Sequence, residues 1–113
     1  MDYELILKEI LGHGERQPLP QLFLMEMLVV NEKLMQLELA PEAAAIAKLR
    51  EQLNGLEQQL CSRIQPVIDM YLAGNATVGD VVQLKEFYVS RKYLLRIIER
   101  LSTFASRDQV FKS

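Results

Sequence analysis

Read at about 100° per residue, the apolar positions between Phe23 and Leu37 fall into two sets rather than one. Phe23, Met27, Val30, Leu34 and Leu37 recur at spacings of four, three, four and three, and trace one continuous helical seam. That seam is the expected core face. Leu24, Met25, Leu28 and Val29 point to the sides and back of the same turns, and this second set stops at Asn31-Glu32-Lys33. A helix on the outside of a small domain needs one apolar stripe, so the second set is surplus to that stripe. A broad core or the N-terminal segment absorbs it, or, in the sharper reading, it is a protein-binding face in which methionine supplies an adaptable contact.

The same periodicity divides the rest of the chain. Tyr3, Ile6, Leu7, Ile10 and Leu11 predict a short amphipathic helix ending at Gly12, followed by a glycine- and proline-containing linker to residue 19. The first long helix is expected from about Pro20 to Leu39, with Ala40-Pro41-Glu42 as a tight corner and both prolines suited to a first helical turn. A second long helix carries Ile46, Leu49, Leu53, Leu56, Leu60, Ile64, Val67 and Tyr71 as its seam, continues through Pro66, and stops at Gly74. Thr77 with Asp80 forms a capping pair for the third, whose stripe is Val81, Leu84, Tyr88, Arg91, Leu95, Ile98 and Leu101, widened by Phe87, Leu94 and Ile97. This helix is expected to end near Phe104. The bundle then spans 20–106 and leaves 107–113 as a tail.

Long helices joined by short corners reverse direction, which predicts an all-α fold, an antiparallel three-helix bundle with a short N-terminal helix and linker. At about 1.5 Å per residue the second helix outruns the first, so the hairpin of the second and third must overhang. Residues 3–11 are placed to cover the apolar side of that overhang. Counting from the corners puts residue 20 beside 60 and 60 beside 90, which sets Tyr93 and Leu94 level with Leu24.

Composition narrows the function classes. The 113 residues are 50% hydrophobic and 25% charged with a net charge of -2, a balance that fits one globular domain and offers no basic stripe for nucleic acid. The single cysteine, Cys61, excludes an internal disulfide framework and cannot hold an iron–sulfur cluster. With no apolar run near the roughly 18 residues of a membrane span, the expected setting is a reducing cytoplasm without membrane contact. His13 stands between two glycines with no ligand partner nearby, and the acidic residues lack the repeated Glu-x-x-His of a di-iron bundle. No catalytic residue, cofactor or metal site is expected.

Phe23-Leu24-Met25-Glu26-x-Leu28, followed by Glu32 and Leu34, resembles the start of the C-terminal domain of the HscB family, J-type co-chaperones of iron–sulfur cluster assembly. The likeness extends from about residue 20 to 104, with Lys92-Tyr93-Leu94-x-Arg96-Ile97 in its third helix, and Tyr3–Leu11 is similar to the last helix of a J domain. The resemblance implies that 20–106 binds an iron–sulfur scaffold protein of the IscU type. It implies delivery to a DnaK-type, HscA-like chaperone through a J domain with a His-Pro-Asp tripeptide, which this sequence does not contain.

Scaffold-contacting positions carry over by identity onto Leu24, Met25, Leu28 and Glu32. Val29 and Gln36 stand where family members can carry acids, which makes the face greasier. Tyr93 is the expected aromatic member of the surface, with Phe87 as the alternative. A different class of reading is a structural domain in which the same apolar face joins two copies as a homodimer.

Overall fold

The computed structural model describes residues 18–112, with side chains as far as Ala105. The expected helix at Tyr3–Leu11, its cover over the overhang, and His13 lie outside these residues. Three helices make up the described chain: α1 (Gln21–Leu39), α2 (Ala43–Leu72) and α3 (Val78–Lys112). The all-α bundle expected from the periodicity is the observed fold.

The helix ends follow local chemistry. Pro20 caps α1 from outside, and its carbonyl accepts from the Leu24 amide at 2.9 Å. Both corner prolines therefore sit before the first helical residue rather than on it. Their fixed φ shapes the entry, while Gln21 and Ala43 open the helices. α2 runs through Pro66 and closes on Gly74, whose φ of 77° only glycine adopts readily. There the Gly74 amide donates to the Tyr71 carbonyl at 3.0 Å and the Asn75 amide to Met70 at 2.9 Å, the paired bonds of a Schellman ending. At the start of α3, the Thr77 amide donates to the Asp80 carboxylate at 2.9 Å and the Asp80 amide to the Thr77 hydroxyl at 3.1 Å, the reciprocal cap foreseen from sequence.

The core is divided along the long axis. One cluster draws on all three helices: Phe23, Met27, Val30, Leu34 and Leu37 from α1, Ile46, Leu49 and Leu53 from α2, and Leu94, Ile97 and Leu101 from α3. The other contains only α2 and α3 residues, Ile64, Ile68, Leu84 and Phe87. This second cluster is the overhang that the helix lengths demand.

Three expectations need correction. Ile68, not Val67, is the buried residue after Pro66. Beyond the start of α1 the only neighbour of α2 among the described residues is α3, so its buried face turns toward that helix. The seam of α3 likewise passes through Leu84, Phe87, Ser90, Leu94, Ile97 and Leu101, whereas Tyr88, Arg91, Leu95 and Ile98 are half-buried along its edge. Among the described helices it faces α2 alone in the overhang and drifts toward α1 where the third helix joins. Phe87 is therefore core, which removes it as the exposed aromatic. Finally, α3 continues to Lys112 instead of ending near Phe104. Loss of a core pattern does not stop a helix, and 105–112 contains neither glycine nor proline.

Three contacts fix how α1 and α3 lie together. Arg100 reaches Glu38 and Tyr93 reaches Asn31, both across 62 residues, while the Tyr93 ring packs on Phe23 across 70, so the two helices run parallel. Tyr93 therefore lies against the start of α1, at Phe23 next to Leu24, as the corner count placed it, and its hydroxyl reaches on along α1 to Asn31.

Candidate functional site

The outer face of α1 is the one large apolar surface in the three-helix part of the bundle that no described helix covers. Its inner seam is complete, with Met27 and Leu34 fully buried. Opposite that seam, Leu24 is 42% exposed, Met25 57%, Leu28 61%, Val29 53% and Met35 60%. Glu32 and Gln36 are exposed on the same turns. Their positions follow from the sequence alone: a helix fixed by a five-residue core seam must present the residues at the intervening angles to the outside.

Helical spacing resolves the face into two adjacent stripes. Leu24, Leu28, Asn31, Met35 and Glu38 run along the side next to α3, as the bonds of Asn31 to Tyr93 and Glu38 to Arg100 establish. Met25, Val29, Glu32 and Gln36 run along the side turned toward α2, where Gln36 borders a cleft with Ala45 and Lys48. The candidate residues therefore share one helix surface but not one line. Tyr93 joins only the first stripe.

Tyr93 is held firmly. Its ring meets Phe23 edge-to-face, with centroids 6.3 Å apart and planes at 82°. Its hydroxyl accepts a 2.8 Å hydrogen bond from the Asn31 side-chain amide. One turn and two turns on, Arg96 is exposed, and Arg100 donates through Nε and Nη2 to one Glu38 oxygen at 3.0 and 2.6 Å. Asn31 was not recognised as part of this surface from sequence. The missing signal was the reach of the Tyr93 hydroxyl along α1, since Asn31 alone reads only as the polar end of an apolar run.

Other chemistry finds little support among the described residues. No group of three or more His, Cys, Asp or Glu side chains is placed to hold a metal ion. Cys61 is half-buried and packs against the overhang cluster. A cleft of about 560 Å³ opens where α1 begins, floored by Phe23, Leu60, Ile64 and Phe87 and edged by Arg63 and Glu86. It is the space left between the start of α1 and the two-helix overhang. No described helix is long and apolar enough to cross a membrane.

Residues 19–102 match the family model described as the HSCB C-terminal oligomerisation domain. No curated protein and no solved structure matches the chain.

Proposed function

Because the chain belongs to the HscB C-terminal domain family, co-chaperones of iron–sulfur cluster assembly, we propose that the outer face of α1 binds an iron–sulfur scaffold protein of the IscU type. The observation that carries this reading is the surplus itself. Leu24, Met25, Leu28 and Val29 remain 42–61% exposed on a helix whose core contacts are complete. Contiguous exposed apolar surface of this kind marks interaction sites in soluble proteins. Burial of each large side chain in a partner contributes about 1.5–3 kcal/mol before the costs of association. Glu32, Gln36 and Tyr93 complete the surface, and the protein acts as an adaptor rather than an enzyme. Delivery to a DnaK-type, HscA-like chaperone runs through a J domain, whose His-Pro-Asp tripeptide does not occur in the 113 residues.

Titration calorimetry with an IscU-type scaffold tests the reading. The wild-type chain binds, and simultaneous replacement of Leu24, Met25 and Leu28 by serine abolishes the heat without loss of helicity. An unbound wild-type chain at high micromolar concentration would overturn it.

The oligomerisation in the family's description favours a second reading, a homodimer through the same face. Light scattering separates the two: a dimer that the triple serine variant dissolves supports it, and a wild-type monomer rejects it.

A further inference from the structure

We infer that the partner of the α1 face presents an Asp or Glu carboxylate to Tyr93 and Arg96, beside the apolar stripe of Leu24, Leu28 and Met35. The inference rests on the scaffold reading and adds the chemistry that the scaffold must bring.

Tyr93, Arg96 and Arg100 are spaced i, i+3 and i+7, so they occupy one line of α3. Both ends of that line reach α1: Tyr93 bonds to Asn31 and Arg100 to Glu38. Arg96 lies between them on that line, beside the stretch of α1 from Asn31 to Glu38. It is exposed, and Glu38 is already engaged by Arg100. The Arg96 guanidinium has no acidic partner among the described residues.

The Tyr93 hydroxyl adds a second donor. It accepts from the Asn31 amide, so its own proton remains to be donated outward. Asn31 and Phe23 fix the ring and its oxygen in place, with little rotamer entropy left to lose on binding. A tyrosine O–H and a guanidinium one turn apart, against an apolar wall, are matched by one carboxylate flanked by apolar side chains. Arginine is suited to this because its planar donors take a carboxylate bidentately. Lys92 is the natural contrast, since its ammonium lies 5.9 Å over the Tyr88 ring, turned away from α1.

The test is scaffold binding by calorimetry at two salt concentrations. Arg96→Glu weakens binding by about tenfold or more and Tyr93→Phe by about tenfold, as expected for hydrogen bonds to a charged group, while Lys92→Glu leaves it unchanged. Arg96→Lys retains part of the affinity. Among single Asp→Lys and Glu→Lys changes across the scaffold surface, at least one restores binding to Arg96→Glu. If Leu28→Ser abolishes binding but Arg96→Glu and Tyr93→Phe do not weaken it, the inference falls and the scaffold reading stands. A complete scaffold set without a restoring change also overturns it. Absence of wild-type binding overturns both.

Discussion

Exposed apolar side chains occur in two regions of this bundle, and they have different origins. In the overhang, Met70 is 44% exposed and Val82 41%. Met70 lies two turns beyond Arg63, and Val82 one turn before Glu86, so both continue the walls of the cleft where α1 begins. They are exposed because α1 begins too far along the bundle to cover them. On α1 itself, Leu28 is 61% exposed and Met25 57% although all three helices are present at that level. Helix length accounts for the first pair and not for the second. The lesson is that exposure becomes a functional signal only after the geometry of missing neighbours has been subtracted.

The sharpest contrast should appear in the core beneath these regions. Leu34 is fully buried in the layer built from all three helices. Leu34→Ala is expected to cost about 3–5 kcal/mol, because neighbours on three sides hold the cavity open. Ile68, 1% exposed in the two-helix layer, is held by described neighbours from two helices rather than three, so the hairpin can relax around a truncation. Ile68→Ala should cost about 2–3 kcal/mol, at the lower end for such truncations. Urea denaturation of both variants checks the pair, and a larger loss at Ile68 would break the distinction between the layers. Thr77→Ala removes one half of the cap that starts α3 at the tip of the overhang. A loss of about 1 kcal/mol is expected, with faster amide exchange at the beginning of α3 than elsewhere in the helix.

Much of this contrast was legible in the sequence because it depends on punctuation and length. Ala40-Pro41-Glu42, Gly74 and the Thr77–Asp80 pair set the corners, and unequal helix lengths demanded the overhang. The inner seam of α1 was read correctly at all five positions, since its described neighbours lie on one side and its apolar stripe keeps one phase. The seam of α3 was harder to read. Its buried face rotates as the number of neighbours changes from one to two, and Ser90 occupies a core position that a hydrophobicity pattern cannot flag. Counting from the corners placed Tyr93 near the start of α1, where its ring meets Phe23, but counting residues does not show how far a side chain as long as tyrosine reaches. The outer α1 face was legible residue by residue, while the link from Asn31 to Tyr93 depends on that reach and was missed for that reason.

The smallest effect on stability is expected where the effect on function is largest. Leu28 lies on the outer face of α1, 61% exposed, and contributes to neither core cluster. Leu28→Ser therefore removes little packing, and its main cost is the lower helix propensity of serine, about 0.5 kcal/mol. The same change withdraws a large apolar side chain from the centre of the stripe between Leu24 and Met35, where a bound partner would bury it. Denaturation midpoints within a few tenths of a kcal/mol of wild type, together with at least tenfold weaker scaffold binding, would place Leu28 in the surplus rather than in the fold. A loss of stability approaching that of Leu34→Ala would show instead that the outer face of α1 is packed in solution. The distinction between an uncovered layer and an available surface would then no longer hold.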